Sequence, residues 1–296
     1  MVFREDLNLF ISCYRSLAEF AEVLSEPEDT AEELRVDVLG TPIDFCRFRT
    51  NRSDLQLKYF SNSLESTLET IHNSLCDVLG HHPKSWFCSS SETTHCLPMI
   101  KNIQMLTLHG GRIDSKRIDE LLSKTSDFQF LSMAAHYGST RFKNSSKFFN
   151  SENVFAATPS AVNTDILKHF NGRNAFLKTC NISSYHVIHF LNSWKSGSKF
   201  RNLEVMSMDQ HDHFNIPSIR GSVEFKEVNT EVESSFIRSL QERDPSWSFI
   251  QPWDFKSNLH MVRESDSHVA TVMLTPTRIF MGVWNLTETQ FLERFQ

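Results

Sequence analysis

The sequence is poor in the residues that mark phosphate loops, tight turns and redox pairs. Only 9 Gly, 9 Pro and 4 Tyr are spread over 296 residues. Neither G-x-x-x-x-G-K-[S/T] nor G-x-G-x-x-G occurs, so the glycine loops that cradle phosphates are missing. G-x-S-x-G is also missing, which removes the nucleophile elbow of α/β-hydrolases. His109-Gly110-Gly111, which has the form of an oxyanion loop, then reads as a strand-to-helix turn. The 6 Cys (Cys13, Cys46, Cys76, Cys88, Cys96 and Cys180) include no C-x-x-C pair. No run approaches the roughly 18 apolar residues of a membrane span. The opening MVFREDLNLF carries acids early and no apolar run with a small-residue cleavage site, so no signal peptide is expected. Thiols are then expected to stay reduced. The sequons at Asn51, Asn144, Asn181 and Asn285 are expected to be chance matches. The expected location is intracellular, cytoplasmic or nuclear. A dense basic block is also lacking, and the net charge is −6, which leaves no field to neutralise nucleic-acid phosphates. Neither a nucleic acid nor a membrane is an expected partner.

What the chain does have is Phe, 25 in all, within a composition that is 40% hydrophobic and 22% charged. Phe carries large apolar area and no polar handle, so it favours burial. Residues 1–24 place Leu7, Phe10, Ile11, Tyr14, Leu17, Ala18 and Ala21 at helical spacing, which predicts an N-terminal amphipathic helix ended by Glu26-Pro27-Glu28-Asp29. Leu34–Leu39 alternates like a strand, Ser63–Leu79 reads as a helix closed by Gly80-His81-His82-Pro83, and Trp86-Phe87-Cys88 reads as a short strand.

The middle of the chain is the most regular. IQMLTL (103–108), FQFLSM (128–133) and LEVMSM (203–208) share apolar residues at their first, third, fourth and sixth positions; LKTCNI (177–182) fits less fully. The starts at 103 and 128 are 25 apart, those at 177 and 203 are 26 apart, and a degenerate unit near Val154 fills the gap. A period of about 20–29 residues with L-x-x-L-x-L strands marks leucine-rich-type repeats. Helical patterns fall between them. One carries Ile118, Leu121 and Leu122 after Asp114 or Ser115. One carries Ile166, Leu167 and Phe170 after Thr164, with Asn171-Gly172 as its stop. One carries Val187, Ile188, Leu191 and Trp194 after Ser183 or Ser184, closed by Gly197. After about residue 210 the strand-like stretches Val223–Val228, Trp247–Ile250, Leu259–Arg263, Ala270–Leu274 and Ile279–Trp284 predict an antiparallel meander capping the coil's open end. The expected fold is α/β: an irregular leucine-rich-repeat-like βα coil followed by a C-terminal antiparallel β meander.

Two stretches carry a resemblance. FLNSWKSGS (190–198) followed by Leu203–Met208, and LHMVRESDSHVATVMLTPTRIFMGVW (259–284), resemble the central and closing elements of the nematode F-box-associated type 2 domain. The matching residues are Trp194, Gly197, Leu203, Arg263, Ala270, Thr271, Val272, Met281, Val283 and Trp284. The resemblance runs from about residue 30 to 284. It implies a domain division of 1–30 (an N-terminal helix without a recognisable F-box) and 31–296, the latter with a βα part over 85–210 and a β-rich part over 211–296. It also implies substrate recognition beside an F-box that docks on a Skp-type adaptor and cullin. Residues 1–30 lack the L-P run that opens an F-box, so ligase docking rests on relatives alone. The family's Asp-Gly turn is replaced by Ser265-Asp266-Ser267.

Chemistry is sparse. Gln210-His211-Asp212-His213 offers nitrogen and oxygen ligands, but an extended segment turns Asp212 away from both His, so it reads as an exposed polar loop. Cys180 with His186 or His189 has the residue types of a thiol nucleophile and its base, yet Cys180 falls on an expected buried strand position. Trp194 and Trp284 sit in periodic apolar contexts and read as core. Trp247, Phe249 and Trp253, clustered around Pro245 and Pro252, are the candidate protein-binding residues, against the alternative that they cover the meander's edge. The expectation is a protein-binding module and not an enzyme, with no cofactor and no metal. The alternatives are a metal- or thiol-dependent hydrolase and a truncated chain without ligase docking.

Overall fold

The computed structural model describes six strands and one helix within residues 1–124, and then residues 129–134, 141–157, 161–178, 181–234, 236–243 and 255–295. The chain divides into two compact units, Met1–Phe128 and Gln129–Gln296.

In the first unit, β1 (Leu9–Tyr14), β2 (Glu32–Val38), β3 (Thr41–Arg49) and β4 (Leu55–Phe60) form a sheet of order β1-β4-β3-β2. β1 runs parallel to β4, and β2–β3 and β3–β4 are antiparallel. The strand at Leu9–Tyr14 corrects the expected helix over residues 1–24. LFISCY satisfies period two as well as helical spacing, and short apolar runs do not discriminate. β5 (Ser85–Ser89) pairs parallel with β6 (Ile103–His109), and α1 (Ser115–Lys124) follows with Ile118 and Leu122 buried. The helix expected over 63–79 lies outside the described residues.

The second unit is α/β and is built on a mixed sheet. β7 (Phe130–Ala134), β8 (Asn153–Ala157), β9 (Asn174–Lys178) and β10 (Val205–Asp209) run parallel in that order. They are linked by a 3-10 turn (Lys147–Asn150), α2 (Ala161–His169) and α3 (Ser184–Lys195). Their sequences are near-continuous apolar runs because the first four residues of β7, β9 and β10 are buried whichever face they point to. After β10 come α4 (Ile216–Ser222), β11 (Lys226–Ser234), α5 (Phe236–Arg243), β12 (Phe255–Val262), β13 (His268–Leu274), β14 (Arg278–Thr287) and α6 (Glu288–Phe295). β12, β13 and β14 form the expected antiparallel meander, but they join the sheet edge-on through β14 against β10. The order across the unit is β7-β8-β9-β10-β14-β13-β12-β11.

Two Phe-rich clusters fill the unit. Phe142 stacks on Phe148 at 4.2 Å, with Phe149 edge-on to Phe148 at 5.2 Å, under the turn capped by Ser146. Toward the C-terminus, Phe255 and Phe280 approach to 4.9 Å. Nearby, Phe291 of α6 packs with Val228, Val232 and Val269, flanked by Trp284 and Phe295. At the entry to the parallel strands, Arg173 lies between Glu152 and Glu204, with Nη1–Oε1 3.0 Å and Nε–Oε1 3.0 Å. One residue further in, Asn174 Nδ2 donates to Asn153 Oδ1 at 2.8 Å, both residues being buried. Gly172 is required there, since a Cβ would lie 2.0 Å from the Ser151 carbonyl oxygen.

Candidate functional site

Three motif residues of the resemblance, Trp194, Gly197 and Arg263, meet at one joint. Trp194, in the last turn of α3, is fully buried, and the Arg263 guanidinium lies 5.2 Å from its ring centre. Arg263, at the end of β12, is itself buried and donates from Nε and Nη2 to the Asp266 carboxylate at 2.9 and 2.8 Å. Its Nη1 donates to the Arg201 carbonyl at 3.1 Å, and Arg201 Nε donates to the Gly197 carbonyl at 3.1 Å. The Glu264 amide closes the circuit on the Lys195 carbonyl at 2.8 Å, satisfying one of the open acceptors at the end of α3.

Gly197 ends α3 in the left-handed region, φ +69°, and a side chain there would run into Ser265. Ser267, φ 61°, makes the matching bend in the β12–β13 turn. The Arg263 fork, with a further hydrogen bond from the His268 amide, holds the Asp266 carboxyl down at about 2. Charge-assisted forks of this kind fix geometry. Thr271, fully buried in β13, accepts from Trp284 Nε1 at 3.1 Å, so the closing motif pins β13 to β14 as well.

The sequence-derived candidates are placed as follows. Trp247, Phe249 and Trp253 lie outside the described residues, as do Cys180, His81 and His82. His211, Asp212 and His213 are exposed in the loop after β10. Among the described residues no three His, Cys, Asp or Glu side chains come together as a metal requires. His186 Nδ1 lies 2.8 Å from Ser183 Oγ, and His189 Nδ1 lies 3.5 Å from Ser193 Oγ. Among the described residues no carboxylate stands behind either ring to orient it, as a catalytic serine–histidine pair needs. Among the same residues no helix is long and apolar enough to cross a membrane.

Two surface depressions stand out among the described residues, and sequence reasoning singled out neither. One, of about 390 Å³, runs along the outer face of α3 and is lined by Tyr185, Ile188, His189, Asn192, Ser193, Ser196 and Ser198. Tyr185 is 70% exposed, the one large apolar side chain so open among the described residues. The second, of about 400 Å³, lies at the strand entries beside Gly172, Arg173 and Glu152. The signal for the first was present in the sequence. Tyr185, His189, Asn192 and Ser196 recur at helical spacing opposite the buried Val187, Phe190, Leu191 and Trp194. An amphipathic pattern alone reads as core against solvent and does not single out the solvent side.

No family model, curated protein or solved structure matches the chain.

Proposed function

We propose that this chain is a protein–protein interaction module of the F-box-associated type, serving substrate recognition in the context of an SCF-type ubiquitin ligase. The observation that carries the reading is the division of labour on α3. Its inner residues and the other motif positions, Trp194, Gly197 and Arg263, are consumed in a rigid buried joint, whereas its outer face holds an exposed Tyr185 over a groove of polar donors. Rigidly mounted aromatic side chains ringed by polar groups suit recognition of another protein, because little entropy is lost on binding. The βα units from β7 to β10 fit a leucine-rich-repeat-like arc, which would offer its strands and loops as an extended surface. Docking on a Skp-type adaptor and cullin follows from the family resemblance. Trp247, Phe249 and Trp253 are a second contact cluster within this reading.

The test is affinity capture from a native lysate with the full chain as folded bait. Recovery of adaptor, cullin and a further protein supports the whole reading. Recovery of a stoichiometric partner without adaptor or cullin overturns the ligase context and keeps the binding module. Recovery of nothing by a folded bait overturns both. Replacing Trp247, Phe249 and Trp253 together by alanine is expected to reduce recovery of the partner.

A further inference from the structure

The outer surface of α2 and α3 collects cations in a chain that is acidic overall. Residues 161–203 carry six Lys and Arg against a single acid, Asp165, which is buried. Several of these cations are committed elsewhere: Arg173 to Glu152 and Glu204, and Lys195 to Glu224. Lys168 and Lys199 are different. Among the described residues no carboxylate lies within ion-pair distance of either. Lys199 Nζ donates to the Lys168 backbone carbonyl at 3.1 Å, at the end of α2, and the charges of both lysines act on His169 there.

Three histidines share that surface. Burial first, then Lys199 for His169 and Lys168 for His186, hold both imidazoles below their usual value, with Asp165 pulling His169 the other way. His189 in turn lines the α3 groove with the hydroxyls of Ser193, Ser196 and Ser198, the Asn192 amide and the exposed Tyr185 ring. Lysine ammonium groups, imidazole N–H, hydroxyls and an amide are the donors that oxyanions accept from, and an aromatic ring beside them gives apolar contact area.

We propose that the α2–α3 face is a docking site for an acidic peptide segment of a partner protein, with Lys168 and Lys199 neutralising its carboxylates or phosphates and Tyr185 stacking against an apolar residue beside them. The inference rests on the protein-binding reading above and names the partner chemistry for it. Charge complementarity carries the choice of occupant: a positive face on a chain of net charge −6 selects an acidic ligand and steers its approach.

The experiment is fluorescence anisotropy of the full chain with three fluorescein-labelled peptides of one length. The first alternates Glu and Ser around a central Leu, the second carries phosphoserine at the Ser positions with Gln in place of Glu, and the third has Gln in place of Glu with unmodified Ser. The expected result is binding of the first two and at least tenfold weaker binding of the third. Affinity should fall as salt rises. A preference between the first two separates carboxylate from phosphate as the recognised group. Lys168→Glu with Lys199→Glu is expected to weaken binding of the acidic peptides by tenfold or more, and Tyr185→Ala severalfold, with far-UV circular dichroism and urea midpoint confirming the fold. Because Lys199 also caps α2, Lys168→Glu alone is the second variant and should show a smaller loss in the same direction. Unchanged affinity in folded variants, equal binding of the third peptide, or tighter binding to anionic vesicles or single-stranded RNA than to the peptides overturns the proposal. Affinity capture with the same charge-reversed bait separates the two levels. Undiminished partner recovery overturns this face while the module reading stands, and no recovery by the unaltered chain overturns the module reading itself.

Discussion

At Gly197 the backbone occupies the left-handed region, and an added Cβ would sit 2.2 Å from Ser265 Oγ and 2.6 Å from Ser265 Cβ. An L-residue in that conformation costs roughly 1–2 kcal/mol before any clash. Gly197→Ala is therefore expected to lower the unfolding free energy by about 2 kcal/mol in urea titrations. Gly221, inside α4 with nothing within 4 Å of its Cβ direction, is the opposite case. Gly221→Ala should stabilise by about 0.5–1 kcal/mol, because alanine loses less backbone freedom in a helix. A destabilised Gly221→Ala, or a neutral Gly197→Ala, would contradict the geometry of α3 and α4. Arg263 gives a second residue-scale expectation. Lysine keeps the charge but reproduces neither the planar fork on Asp266 nor the stacking over Trp194. Arg263→Lys should cost about 2 kcal/mol or more, the scale of leaving a buried charged partner poorly satisfied. It should also shift Trp194 emission toward that of a solvated indole, which fluorescence spectra read in a background with the other four Trp replaced by Phe.

Elements were legible where apolar residues repeat over a long enough stretch. IQMLTL lies on β6 and LEVMSM runs into β10, and α1, α2 and α3 fall on their apolar stripes, although α2 starts at Ala161, ahead of Thr164, and Ser183 makes no side-chain capping bond to α3. β9 was misplaced. LKTCNI mimics the strand pattern at 177–182, but the strand is NAFLK at 174–178, starting on a polar residue. The register is chosen by tertiary pairing: Asn174 stands opposite Asn153 and its amide bonds across to it, a preference with no local signature. Val223 likewise has the local pattern of a strand start and is the residue that ends α4. Of the site, the buried half of α3 and the motif joint were legible as apolar spacing plus Gly197. The cationic half was not, because Lys168 and Lys199 are 31 residues apart and meet only through the fold. The asparagine pair makes a testable claim about β8 and β9. Asn153→Ala and Asn174→Ala each strand a buried polar group, at about 1–3 kcal/mol. Asn153→Val with Asn174→Val removes both partners and should cost less than the two alanine replacements summed. A double variant as costly as that sum would mean the pair contributes nothing jointly.

Across the second unit, two of the perturbed groups titrate far apart, and His169 and His186, which burial also lowers, add to the upper range. His260 on β12 is 1% exposed, packs 5.3 Å from the Phe291 ring, and among the described residues finds no hydrogen-bond partner for either ring nitrogen. Glu288 of α6 approaches its Nε2 only to 3.8 Å and is engaged by Lys226 Nζ at 2.6 Å. Burial dominates and lowers the imidazole below its usual 6.5, with Glu288 pulling weakly the other way and Lys226 adding to the depression. The unfolded chain therefore binds a proton at His260 before the folded chain does. Stability from this group is fully present above its unfolded value of 6.5 and is lost as pH falls from there through the lowered folded value. Asp266 is also depressed, from 3.8 to about 2, by the Arg263 fork. Its contribution is fully present above the unfolded carboxylate value and disappears only as pH falls from 3.8 toward about 2. Urea midpoints measured across pH 8 to pH 2 should thus decline along two separate limbs. His260→Leu is expected to flatten the upper limb and leave the lower one, because leucine fills the site without a proton to bind. Asp266→Asn should lower the midpoint at neutral pH and remove the lower limb. If His260→Leu left the upper limb intact, another histidine would have to carry it, and the burial of His260 beneath α6 would not be what ties the C-terminal helix to pH.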